Sequence, residues 1–291
     1  MSELLAAWRE RVRMAAAAKM PLRIVGGGSK DFYGQQLAGE VFDVSAYAGI
    51  VDYDPTELVI TARCGAKVAD VERTMTEAGQ MLGFEPPRFA AGATIGGCVA
   101  AGLSGPRRAY AGAVRDLVLG VRLLDGQGED LSFGGRVMKN VAGFDVSRLV
   151  AGSLGTLGVI LEVSIKCLPL PRVETTLAFE LPADEALRKV NQWGATSLPL
   201  SATCWHGERL RVRLSGAESA VAAAAKRLGG EVDSDATAFW AAVRDQTHEF
   251  FVPCCGVDSM SGGAAAPALW RLSVGATAPH AGLGAATMIE W

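Results

Sequence analysis

Apolar and polar positions alternate along this chain in a way that separates strands from helices. Near the start, Met1–Met20 is Ala-rich, with Arg9, Glu10, Arg11, Arg13 and Lys19 interspersed. That spacing predicts an amphipathic helix with Ser2 as its N-cap, and it lacks the form of a secretory signal. Leu22–Val25 reads as a short strand running into Gly26-Gly27-Gly28-Ser29-Lys30. Val41–Val44 and Leu58–Thr61 read as further strands, with the turn signal Asp54-Pro55-Thr56 between them. Lys67–Ala78 carries Val68, Val71 and Met75 on one helical face, and Gly79 is a natural stop. Pro86-Pro87 forbids regular structure, and Gly92–Gly105 is rich in glycine and poor in large side chains. Leu117–Leu124 is a predicted strand, and Asp125-Gly126 opens a hairpin returning through Leu131-Ser132-Phe133. Val137–Val150 is predicted helical, and Val159–Leu168 is a strand ended by Pro169 and Pro171.

The pattern changes after Pro171. Strand signals at Thr175–Phe179, Ala202–Trp205 and Leu210–Leu214 alternate with helix signals at Asp184–Trp193, Glu218–Leu228 and Ala236–Asp245. This predicts a smaller α+β domain over an antiparallel sheet. Pro253–Pro267 reads as a loop, Ala268–Val274 as one more strand, and the chain closes on apolar residues around Ile289 and Trp291 that look exposed.

Composition narrows the function classes. With 49% hydrophobic and 20% charged residues over 291 positions, a sizeable core can form and wholesale disorder is excluded. A net charge of −3 argues against a nucleic-acid partner. No apolar run is long enough to span a bilayer. Six Cys without framework spacing fit reduced thiols and a cytoplasmic location.

The 35 glycines fall mostly before residue 160, in three clusters. Gly26–Lys30 follows a strand, so successive backbone N–H groups can face an anion, with Ser29 and Lys30 adding a hydroxyl and a charge. It has neither Walker A spacing nor a Rossmann fingerprint, and a tight surface turn explains it equally well. Ala91-Gly92-Ala93-Thr94-Ile95-Gly96-Gly97 has so few large side chains that a second backbone or a ligand must fill the space. Two such segments could meet on one extended ligand such as a dinucleotide. Gly152-Ser153-Leu154-Gly155-Thr156-Leu157-Gly158 reads first as a helix cap and turn. His206, His248 and His280 are scattered, Cys254-Cys255 has no C-x-x-C spacing, and no carboxylate pair or nucleophile elbow stands out, so no metal site is expected. Binding loops without an acid, base or nucleophile suit a protein whose cofactor carries the chemistry.

In order, Arg23–Lys30, Gly92–Gly97, Val114-Arg115-Asp116 and Gly152–Gly158 resemble FAD-binding domains of the vanillyl-alcohol oxidase/PCMH type. Asp52–Arg63, Ala78–Leu82, Gly102–Arg108, Phe133–Asp145 and Ala268–Ser273 are similar to the E subunits of bacterial glycolate oxidases. The resemblance implies an α+β, PCMH-type fold: an N-terminal helix over 1–20, two α+β subdomains clasping FAD over 21–171, and a smaller α+β cap-like domain over 172–291. That family's pattern runs on past the Ile-Glu-Trp segment to an Asn-Pro-Gly-Arg-like motif, so the cap is expected to be incomplete at its C-terminal end. By the same resemblance, Gly26, Gly27, Gly28, Ser29 and Lys30 form the pyrophosphate loop. Gly92, Ala93, Thr94, Gly96 and Gly97 line the pyrophosphate and ribityl region, Gly105 and Gly112 sit near the flavin, and Gly158, Val159 and Ile160 lie towards the adenine.

FAD is expected to be non-covalent, because Cys98 is the one candidate for attachment and reads as a buried small hydrophobe. The implied function is that of an FAD-binding subunit in a complex oxidising glycolate to glyoxylate, beside a second FAD-containing subunit and an iron–sulfur subunit, and peripheral to the inner membrane at most through those partners. No catalytic residue is assigned here. Arg107 and Arg108 could hold a carboxylate or phosphate, or form a solvated pair. Two other readings stay open: a stand-alone D-2-hydroxy acid dehydrogenase, and a scaffold subunit with weakened or lost FAD binding.

Overall fold

Trp8, Val12 and Ala15 recur at helical spacing, and they are the residues that the first helix, α1 (Ser2–Ala17), buries. Ser2 lies inside the helix rather than capping it. Trp8 packs its ring against Phe42 and Tyr47, at centroid separations of 5.4 and 5.8 Å, which ties the helix to the main core. The computed structural model describes residues 2–34, 36–136, 144–251 and 268–290.

The chain divides into two compact units. The first comprises Met1–Ser104 and Gly112–Leu170, and the second Gly105–Ala111 and Pro171–Trp291. In the first, β1 (Leu22–Val25) and β2 (Glu40–Asp43) form a parallel pair. Next come β3 (Ile50–Asp54), β4 (Val59–Arg63), α2 (Val68–Glu77), β5 (Gln80–Met81) and α3 (Ile95–Ala101). The short α4 (Arg108–Ala111) belongs to the second unit. The chain then returns through α5 (Val114–Leu117), β6 (Val118–Leu124), β7 (Asp130–Gly134), α6 (Val146–Val150), β8 (Val159–Lys166) and β9 (Leu168–Pro169).

The main sheet of this unit is antiparallel, in the order β3-β4-β8-β6-β7. Its centre is β8, which buries six of its eight residues, as a strand covered on both faces should. A polar network crosses the sheet: Arg122 donates to Asp130 at 2.7 and 2.9 Å and to Glu162 at 3.0 Å, and Tyr47 donates to Glu162 at 2.8 Å.

The second unit continues with β10 (Val173–Glu180), α7 (Ala183–Gly194), β11 (Leu200–His206), β12 (Arg209–Gly216), α8 (Glu218–Leu228), β13 (Glu231–Val232), α9 (Ala236–Arg244) and β14 (Met288–Glu290). Its sheet, β13-β10-β12-β11-β14, is antiparallel throughout, as the alternating pattern after Pro171 predicts. Leu177, Val190, Leu210, Val212, Leu214 and Val221 form its core.

Some expectations need correction. Ala268–Val274 is not a strand, and Trp270, Leu272 and Val274 stand exposed. Ile289 is half-buried, because β14 pairs with β11 and sets Ile289 opposite Trp205. Pro169 does not end strand structure but pairs with Gln80. Of the helix predicted over 137–150, only Val146–Val150 is seen, and 137–143 lie outside the described residues, as do 253–267 and Trp291.

Candidate functional site

The three glycine clusters come together around β1 and α3 in the first unit. A side chain on Gly27 would lie 1.7 Å from the carbonyl oxygen of Gly92, so the two loops touch backbone to backbone. A side chain on Gly26 would meet Thr94 Oγ1 at 2.4 Å. The third cluster packs on the other end of α3. Gly152 and Leu154 donate to the carbonyls of Val99 and Ala100 at 3.0 and 2.9 Å, and a side chain on Gly102 would strike Gly152 at 2.8 Å. Gly155 closes against Ile24 of β1.

Thr94 organises the middle of this arrangement. It is the N-cap of α3, and its Oγ1 accepts from the Gly97 amide at 3.3 Å. Gly102, left-handed at φ 69°, ends the helix. Gly96 lets α3 lie against Cys64, where a side chain would sit 2.5 Å from Cβ. The glycine richness of this stretch hides a helix that the sequence reading missed, although Thr94 before Ile95 is a cap signal.

The clasp leaves polar groups open. Among the described residues, no backbone acceptor takes the amides of Gly27, Gly28, Ser29 or Gly92. Gly27 and Gly28 are exposed, and Gly28 adopts φ 65°. Lys30 lies over the Phe89 ring at 5.6 Å, and Phe32 meets Phe89 edge-on at 5.0 Å, so an aromatic pair flanks the loop. Ser153 Oγ is buried without a hydrogen-bond partner in the third cluster. Free amides, a lysine and an orphaned hydroxyl are donors suited to a phosphate-bearing ligand, and the residues present fit a dinucleotide.

Other predicted positions have different surroundings. Gly158 is left-handed at φ 139°, and a side chain there would lie 2.4 Å from the carbonyl oxygen of Leu124. Val159 and Ile160 are buried in β8 opposite Leu124 and Leu123. Packing of the sheet accounts for these three. Gly112, at φ 91°, precedes a turn in which Asp116 accepts from the Ala113 amide at 2.9 Å. Gly105 belongs to the second unit, where its carbonyl accepts from the Arg108 amide at 3.0 Å.

Arg107 is neither a solvated surface residue nor a free anion site. It is 6% exposed and ion-paired with Glu174, with a further bond to Ser215 at 3.3 Å, all within the second unit. Arg108 is exposed, and what desolvation it has, together with the charge of Arg271, depresses its pKa. Cys98 is 1% exposed, and burial pushes its thiol up to about 12 against the opposing pull of Lys30.

The fold and these loops define a flavoprotein class: residues 5–134 match the family of FAD binding domains. The chain is 45% identical to the glycolate oxidase subunit GlcE of Escherichia coli over 97% of its own length and 77% of that protein's. It is 33% identical to the glycolate oxidase subunit GlcD of Bacillus subtilis, over 44% of this chain and 27% of that one. Its fold is shared with a solved alkyldihydroxyacetonephosphate synthase, at a TM-score of 0.63 and 17% identity over 82% of this chain, which spans about half of that longer one (52%). The chain belongs to the family of glycolate oxidase E subunits, FAD-binding members of the FAD-dependent oxidoreductases.

Proposed function

We propose that this chain holds FAD non-covalently through Gly26–Lys30, Gly92–Gly97 and Ser153, as one flavin subunit of a complex that oxidises glycolate to glyoxylate. The observation that carries the reading is the set of unaccepted amides at Gly27, Gly28, Ser29 and Gly92, on two loops in backbone contact. Backbone donors at glycines can approach a pyrophosphate where side chains would stand in the way. Lys30 adds positive charge beside the loop, its ammonium over the Phe89 ring at 5.6 Å and within 3.4 Å of Ser29 Oγ. Gly112, Gly158, Val159 and Ile160 act at one remove, by shaping the backbone and sheet of the first unit around the clasp.

When bound, FAD supplies the two-electron acceptor that oxidation of a 2-hydroxy acid requires. The chain's own residues bind and orient. Cys98 is too buried and too weakly acidic to attach a flavin, and there is no histidine before His206. Similarity to GlcE, together with the match of 44% of the chain to GlcD, supports a partnership with a second flavin subunit. An iron–sulfur subunit completes the electron path in this reading.

The test is anaerobic addition of glycolate to the flavin-loaded chain alone and to the chain assembled with its partners, following flavin absorbance. The reading predicts bleaching in the assembly and none in the isolated chain. Rapid bleaching of the isolated chain would instead support a stand-alone 2-hydroxy acid dehydrogenase.

A further inference from the structure

The three histidines look scattered in the sequence, but the fold of the second unit pairs two of them. His206 ends β11, opposite Arg209 of β12 and Met288 of β14. His248 lies on the tight turn after α9, where its amide donates to the Ala242 carbonyl at 3.3 Å and Gln246 is left-handed at φ 55°. The two imidazoles meet edge-to-face with ring centroids 5.2 Å apart. Glu249 joins them, so that one ligand atom from each of His206, His248 and Glu249 lies within 4.8 Å of the other two. We infer that these three residues form a binding site for a divalent transition-metal cation of the zinc class, bracing the end of β11 to the segment after α9.

The donor set suits that cation. Two imidazole nitrogens and one carboxylate oxygen are borderline ligands that leave a fourth position for water. Tetrahedral zinc ligands at about 2.0–2.2 Å from the metal stand roughly 3.4 Å apart, so side-chain rotations closing up to about 1.4 Å complete the site. The surroundings confine the site. Phe239 packs on His248 and Phe250 on His206, each at 5.4 Å, forming apolar walls. Two arginines lie near, and both have carboxylate partners: Arg211 stacks on Phe239 at 4.0 Å and is ion-paired with Asp233 at 2.6 Å, and Arg209, opposite His206, is ion-paired with Glu180 at 3.6 Å. His248 Nδ1 accepts a long hydrogen bond from the Phe250 amide, 3.2 Å, and a cation bound at Nδ1 takes the place of that bond.

The test uses the full chain, free of any polyhistidine tag and stripped with a chelator, titrated with zinc chloride by calorimetry and followed by proton NMR of the imidazoles. With three histidines in the chain, the spectrum is simple enough to read residue by residue. The expected result is one zinc per chain, shifted imidazole signals for His206 and His248 but not His280, and a raised unfolding midpoint. His206→Gln and His248→Gln should each weaken binding about tenfold or more, with flavin content unchanged. Because Cys254 and Cys255 also offer zinc ligands, Cys254→Ser/Cys255→Ser is the decisive partner variant: it should bind zinc as the parent chain does. Loss of binding in that variant, unshifted imidazole signals, or no stoichiometric binding at all would overturn the assignment. The NMR result on the parent chain decides the matter even if a histidine variant fails to fold.

Discussion

At Gly27 a single methyl group decides whether two loops can meet, because it would overlap the Gly92 carbonyl at 1.7 Å. Gly27→Ala is therefore expected to cost most of the bound flavin and to lower the unfolding midpoint. Gly126→Ala, where nothing lies within 4 Å of the added carbon, should leave both unchanged. Released flavin per chain and thermal unfolding of the two variants check this. Cysteine chemistry is also settled at this scale. Burial raises the thiols of Cys64, Cys98 and Cys167 to about 12, and that of Cys204 also upward. These four should resist alkylation in the native chain at mildly alkaline pH and react only on unfolding, as peptide mass spectrometry would record.

Among the elements, α3 is the hinge of the account, since its N-cap Thr94 also faces Gly26 and its C-terminal turn receives Gly152 and Leu154. Thr94→Ala should destabilise the chain by about 0.5–2 kcal/mol and weaken flavin retention, whereas Thr94→Ser should keep most of both, measured by denaturant unfolding and flavin release. Much of this level was legible in the sequence. The apolar spacing of Val68, Val71 and Met75 located α2, and the Asp125-Gly126 turn located the β6–β7 hairpin. What stayed hidden has physical reasons. Small residues at Gly96, Gly97 and Ala100 carry no helical periodicity, and α3 uses Gly96 to approach Cys64 closely. Ile50–Asp54 pairs at the edge of its sheet and is mostly not buried, so it lacks an apolar stripe. The meeting of Gly27 with Gly92, and of His206 with His248, depends on long-range pairing that no local pattern encodes.

For the molecule as a whole, each unit carries its own core and its own charged lock. In the second unit, desolvation acts to raise the pKa of Asp233, but bonds from Arg211 and the Asp235 amide outweigh it and the carboxyl is held below the ordinary value of 3.8. A depressed folded pKa means that the stability it contributes is present above the unfolded value and is lost as pH falls through the folded one. Acid unfolding of the second unit should therefore shift to higher pH in Asp233→Asn, followed by circular dichroism. Arg107→Ala should destabilise that unit by about 3 kcal/mol, the lower end for a broken buried pair, because Glu174 keeps partial access to water.

Whether the glycine loops of the first unit hold FAD is read from the flavin content of the chain. The chain is purified, denatured, and its released flavin quantified against protein by absorbance and fluorescence. The expected result is about one FAD per chain, released without covalent residue on the peptide. A folded chain that carries no flavin, and takes up none when FAD is added, would contradict it and leave the loops as packing surfaces in a scaffold subunit.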